Sequence, residues 1–152
     1  MTAIGEQIFE TEEDNTQSKA SVENCLGISN IDKYCYLSVK EGDRNIAWTI
    51  VLPTSKENMD KFLNKEITEA ELSEYSKDNP SFECLYFMVA VTVPEYRGKG
   101  LATFLFEEQI KYFIGKYQIN NFFGWIFSEE GKALSEKLKQ KVSGVNVFVL
   151  DR

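Results

Sequence analysis

Val91-Thr92-Val93-Pro94-Glu95-Tyr96-Arg97-Gly98-Lys99-Gly100-Leu101-Ala102 joins an apolar strand to a long helix through a turn that carries two glycines. Upstream, Phe82 to Thr92 is nearly continuous apolar sequence after Glu83, the pattern of a central strand covered on both faces. Pro94 ends it. Downstream, Leu101, Leu105 and Tyr112 fall near one face of a helix running from Gly100 to about Lys116. Phe106, Ile110, Phe113 and Tyr117 extend that face, giving a long amphipathic helix. The first turn of such a helix offers unpaired N–H groups and a partial positive charge, so a pyrophosphate fits there. Gly98 and Gly100 let backbone approach an anion with no Cβ in the way. Small Ala102 keeps the first helical turn open, and Arg97 and Lys99 put cations at its rim. The same residues would also serve a plain tight turn flanked by two solvated cations. A Rossmann turn needs Gly-x-Gly-x-x-Gly after an early strand and a P-loop needs Gly-Lys-Ser/Thr; the chain has neither.

Working outward toward the N-terminus, Thr54-Ser55-Lys56-Glu57 and Thr68-Glu69-Ala70-Glu71 both have the Thr-x-x-Glu capping-box form. Met59, Phe62 and Leu63 follow the first, Leu72 and Tyr75 the second. Two short helices are expected, forming an insertion over 54–79 beside the sheet. Ile46 to Leu52 reads as a strand bounded by Pro53, and Tyr34 to Lys40 alternates with strand period. Glu41-Gly42-Asp43-Arg44-Asn45 between them makes an antiparallel hairpin. Ser18 to Leu26 suits a helix stopped by Gly27, and Ile4 to Phe9 a short first strand. Toward the C-terminus, Asn121 to Phe127 is an aromatic-rich strand. Ser128 caps a helix with Glu129 and Glu130 in its first turn, where the helix dipole favours them. Leu134, Leu138 and Val142 give that helix its apolar stripe; Gly144 breaks it, and Val145 to Leu150 is a last strand. The expected fold class is α/β, a mixed sheet with helices on both faces.

The 152 residues fit one domain, 1–152. A net charge of −7 argues against a broad nucleic-acid face, which needs clustered Lys and Arg. No apolar run approaches the roughly 20 residues needed to span a bilayer. Met1 to Glu6 lacks a basic segment followed by an apolar one, so a cytoplasmic protein is expected. There is no histidine, which excludes Ser-His-Asp and Cys-His hydrolases and His-ligated zinc. Cys25, Cys35 and Cys84 fit no metal knuckle or redox pair and read as reduced core thiols, and no metal site is expected.

Arg97-Gly98-Lys99-Gly100-Leu101-Ala102, led by Val93-Pro94-Glu95-Tyr96, resembles the Arg/Gln-x-x-Gly-x-Gly/Ala signature of the GNAT (Gcn5-related N-acetyltransferase) superfamily. The resemblance covers the order of elements from Tyr34 onward, with Phe123-Gly124-Trp125-Ile126-Phe127 as the strand across the cofactor cleft. It implies a GNAT fold, its central sheet mixed but mostly antiparallel and splayed at that cleft. It implies an N-acetyltransferase moving the acetyl group of acetyl-CoA to a primary amine on a small molecule or peptide by direct attack. Main-chain groups of Val91 and Val93 would hold the pantetheine arm. Amides of Arg97, Gly98, Lys99, Gly100, Leu101, Ala102 and Thr103 would hold the pyrophosphate. Homodimers are common in folds of this type.

Two positions depart from the family. Ser135 stands where many members place a tyrosine acid, and Tyr86 where some place a carboxylate base; the nearest acid is Glu83. Tyr86, Glu83 and Ser135 are the side-chain candidates for catalysis, with water serving where they do not. Two of them also have a plain structural reading, Tyr86 as a packed aromatic and Glu83 as a solvated residue at a strand entrance. Glu66, Glu69, Glu71 and Glu74 in the insertion would either attract an amine or form a solvated helix face. The alternatives are a CoA-binding or regulatory module without turnover, and a toxin-type acetyltransferase acting on charged tRNA, which the acidity disfavours.

Overall fold

The computed structural model describes residues 22–126, 128–142 and 146–151. The expected strand at Ile4 to Phe9, the helix entry at 18–21, and Phe127, Gly144 and Val145 lie outside them. The elements run α1 Val22–Ser29, β1 Tyr36–Glu41, β2 Arg44–Thr54, α2 Lys56–Leu63, α3 Glu69–Asp78, β3 Cys84–Thr92, α4 Leu101–Tyr117, β4 Asn121–Ile126, α5 Glu129–Lys141 and β5 Asn146–Asp151. Among the described residues five strands form one sheet in sequential order. β1, β2 and β3 pair antiparallel, whereas β3, β4 and β5 pair parallel. Among the described residues the sheet is thus mixed as expected, with two antiparallel and two parallel strand pairings; the parallel ones arise because helical crossovers α4 and α5 both return the chain to the same end of the sheet. Right-handed crossovers place both helices on one face. There Lys141 Nζ on α5 meets Glu107 Oε1 on α4 at 2.7 Å. Helices α1, α2 and α3 cover the other face.

The β1–β2 hairpin turns on Gly42 and Asp43, with Gly42 at φ 60 in the position that type II′ turns reserve for glycine. β2 runs on through Pro53 to Thr54, past the expected stop at Leu52. Pairing with β1 ends at Tyr36–Ile50, so β2 is a sheet edge on that side at Pro53, where a missing N–H breaks no ladder. Thr54 therefore belongs to the strand and does not cap α2. Ser55 does, accepting from the Asn58 N–H at 3.1 Å. The buried Thr54 hydroxyl instead joins Asn58 Nδ2 at 3.1 Å and Ser76 Oγ at 2.8 Å. The second box forms as expected: Thr68 Oγ1 accepts from Glu71 N and Glu71 Oε2 accepts from Thr68 N.

Gly27 does not end α1, which continues to Ser29. A Cβ there would stand 3.2 Å from Lys77 Cδ, so this glycine lets α1 lie close against α3. Tyr34 and Cys35 belong to a 3-10 turn rather than to β1; Asp32 caps that turn by accepting from Tyr34 N at 2.9 Å.

Between the sheet and α4 the polar side chains of Thr49 and Gln109 are fully buried. Gln109 Oε1 accepts from Thr49 Oγ1 at 2.8 Å, and its Nε2 donates to Tyr34 O at 3.0 Å. Gln109→Leu keeps the volume but strands the hydroxyl and the carbonyl in the core. It should cost about 2 kcal/mol, read as a lower urea midpoint with unchanged slope.

Candidate functional site

The site is built where β3 ends. Val93 leaves the strand, Pro94–Tyr96 make one 3-10 turn, and Gly98 and Gly100 follow at φ 79 and φ 77. Both glycines thus adopt the left-handed conformation that other residues resist. A Cβ at either would meet nothing within 4 Å, so the space in front of the turn is open. Gly100 is the N-cap of α4, and the first helical bond is Phe104 N to Gly100 O at 2.9 Å. The amides of Leu101, Ala102 and Thr103 precede that bond and belong to the unpaired first turn, where the helix dipole is positive. Arg97 folds back on the strand end, its Nε donating to Thr92 O at 3.2 Å. Lys99 Nζ stands 5.2 Å from the centre of the Tyr96 ring, a cation held at the rim over an aromatic face.

Beside this turn the sheet opens. β3 and β4 pair only from Cys84–Asn121 to Phe87–Gly124, yet β3 continues to Thr92, and β4 stays paired with β5 to Ile126. The parting coincides with a bulge. Ile50 pairs with Val89 and Val51 with Phe87, leaving Met88 as an extra residue that bends β3.

The bulge also decides which main-chain groups face the opening. Val93 N donates to Ile46 O at 2.9 Å, so Val93 is turned toward β2. Antiparallel alternation turns Val91 the same way, opposite Trp48. Ala90 and Thr92 therefore present their N–H and C=O toward the splay, and the bond from Arg97 to Thr92 O shows that side in use. The assignment of Val91 and Val93 to the cleft is corrected to Ala90 and Thr92. A regular strand would have aimed the residues first named; Met88 shifts the alternation by one.

On the face away from α4, the inner end of the opening is aromatic. The Phe62 ring lies 5.1 Å from Tyr86, 5.9 Å from Phe123 and 6.0 Å from Trp125. Trp125 is the first β4 residue beyond the last β3–β4 pair. The Tyr86 hydroxyl donates to Glu69 Oε2 at 2.5 Å. Tyr86 is wholly enclosed and Glu69 is 4% exposed. Burial, then the negative charge of Glu69 and its hydrogen bond, holds the phenol well above its ordinary value.

Of the other side chains expected to take part in chemistry, Glu83 is exposed at the opposite end of β3. Its Oε2 accepts from Lys56 N at 3.1 Å and so anchors the start of α2. The nine residues of β3 separate it from the glycine turn by about 30 Å. Ser135 is half-buried on α5, one turn before the buried Leu138. Among the insertion acids Glu66, Glu71 and Glu74 are exposed, and Glu69 alone of the four is buried. Reading the insertion as Leu72 and Tyr75 missed this. Tyr75 is exposed, and the buried stripe is Glu69, Leu72, Ser73 and Ser76, a helical spacing that was present in the sequence.

No thiol is poised as a nucleophile. Cys25, Cys35 and Cys84 are all free. Burial, reinforced by the nearby Asp32 carboxylate, pushes Cys35 up to about 12. Burial, reinforced by Glu83, pushes Cys84 up to about 11. Among the described residues no group of acids and cysteines could hold a metal ion, and no helix is long and apolar enough to cross a membrane. Comparison with protein-family models, with curated proteins and with solved structures gives no match.

Proposed function

We propose that this chain binds acetyl-CoA in the opening between β3 and β4 and transfers its acetyl group to a primary amine, as an N-acetyltransferase of GNAT type. One conjunction carries the reading. A strand that is bulged and parted from its parallel neighbour feeds directly into a turn with two left-handed glycines at the start of a 17-residue helix. The turn supplies backbone donors and dipole charge for a pyrophosphate. The splay supplies main-chain groups of Ala90 and Thr92 for an extended, amide-bearing arm. Strand N–H groups would also stabilise the oxyanion formed when an amine attacks the thioester, an effect worth a few kcal/mol. Holding amine and thioester in line contributes much of the rest.

A second reading has its own observation. The Tyr86 hydroxyl and the Glu83 carboxylate are both engaged in structural bonds, which favours a CoA-holding module without turnover. Calorimetry with CoA, followed by thiol release from acetyl-CoA with a pooled amine library, separates the two. Micromolar binding with amine-dependent thiol release is expected. Binding without release supports the module, and no binding sinks both.

A further inference from the structure

We infer that the exposed ring of Phe104 is the surface on which the adenine of CoA stacks; this rests on the CoA reading above. Phe104 is 53% exposed although it lies at the start of α4. The side of α4 turned to the sheet carries the buried Thr103, Leu105, Phe106, Gln109, Ile110 and Phe113. At about 100° per residue, Phe104 points away from that side. The fold gains little from a ring there. Phenylalanine is a poorer helix former than alanine, and an exposed ring leaves much of its apolar area in water.

The place of the ring relative to the glycine turn gives it a use. Phe104 N bonds Gly100 O at 2.9 Å, so the two residues sit on one face, a single turn of about 5.4 Å apart. Helical side chains lean toward the N-terminus, which tilts this ring toward the turn. A Cβ on Gly100 would meet nothing within 4 Å, so the space beside the turn is open to a ligand. A pyrophosphate on the amides of Leu101, Ala102 and Thr103 joins two arms. The pantetheine arm runs toward the sheet, into the parting of β3 and β4. The adenosine arm leaves on the opposite side, which is the side of Phe104.

A flat heteroaromatic base is the ligand this surface fits. Further along the same face come Glu108 and Lys111, ion-paired at 3.7 Å. One ring followed by charges falls short of the roughly several hundred Å² of continuous apolar surface that marks a protein or membrane interface. A base needs only a ring of its own size, and stacking tolerates any base. Lys99, held over the Tyr96 ring at 5.2 Å, keeps a cation at the rim for the phosphates. The acyl donor is then free CoA thioester rather than a carrier protein, whose phosphopantetheine has no adenine to stack.

The test compares the full-length wild type with Phe104→Ala and Phe104→Trp. Each is titrated calorimetrically with CoA and with 4′-phosphopantetheine, which has the same arm but no adenosine. Phe104→Ala should lose about 10- to 30-fold in affinity for CoA. Its affinity for phosphopantetheine should stay within about twofold of wild type, and its melting temperature within about 2 °C. Phe104→Trp should keep CoA affinity within about threefold, and CoA should quench the emission that this variant adds to that of wild type. That quench decides the matter where phosphopantetheine binds too weakly to titrate. The inference is overturned by a CoA affinity in Phe104→Ala within about twofold of wild type, by equal losses with both ligands, or by an added emission that saturating CoA leaves unchanged. A wild type that binds no CoA overturns the CoA reading itself, an outcome distinct from a wild type that binds it and variants that bind it equally well.

Discussion

Gly100→Asp should weaken CoA binding by at least about 100-fold while leaving the fold intact. Three effects act together at this residue. Its φ of 77 lies in the left-handed region, where a side chain costs about 1–2 kcal/mol. A Cβ would meet nothing within 4 Å, so the folded protein accommodates the substitution without a clash. The new carboxylate, however, would stand at the N-cap of α4, in the space proposed for the CoA pyrophosphate, and would repel it. Calorimetry with CoA reads the affinity, and a melting curve lowered by no more than a few degrees shows the fold is kept. An affinity within threefold of wild type would detach the turn from the cofactor.

Asp32→Ala should destabilise the protein by about 3 kcal/mol, roughly 10 °C in melting temperature. Asp32 is nearly enclosed and gathers a network from the turn before β1 and the end of α4. It accepts from Tyr117 Oη at 2.7 Å, Tyr34 N at 2.9 Å, Tyr112 Oη at 3.0 Å and Lys116 Nζ at 3.2 Å. Tyr34 stacks on Tyr112 with ring centres 3.8 Å apart, and Tyr117 on Phe82 at 3.9 Å. Alanine would leave these hydroxyls without their acceptor and release the end of α4 from the turn before β1. Burial by itself would raise the Asp32 pKa, but the bonds from Tyr117, Tyr34, Tyr112 and Lys116 outweigh it and hold the carboxyl below the usual range. A carboxyl depressed in the folded state gives its full stability above the unfolded value of about 3.9, and loses it as pH falls through the folded value. The melting gap between wild type and Asp32→Ala should therefore stay wide at pH 5 to 7 and narrow below about pH 4. A gap that does not change with pH would mean the carboxylate's charge contributes nothing.

Much of this architecture was legible because the period of the apolar residues changes along the chain. The run before Pro94, the amphipathic face after Gly100, and the capping residues Thr68 and Ser128 each placed an element to within a few residues. What escaped depended on neighbours distant in sequence. Nothing local to Asp32 announces that Tyr112, Lys116 and Tyr117 converge on it across some 80 positions. Gly27 reads as a helix stop until α3 is seen lying against it. The parallel share of the sheet follows from how α4 and α5 fold back, which composition does not encode. In the candidate site the glycine turn was plain. The facing of Ala90 and Thr92 was not, since the bulge shows only when β3 is aligned against β2.

That main-chain facing has a consequence for how the chain tolerates change. A cleft lined by backbone N–H and C=O groups places little demand on the identity of the side chains at positions 90 and 92, so substitutions there can accumulate with the lining intact. Length is another matter. Deleting Met88 would keep the existing pairs of Phe87 and Val89 with β2, and so the facing of Ala90 and Thr92, but it would remove the bulge that bends β3 where it parts from β4. The strand should be permissive to substitution and intolerant of a single-residue deletion.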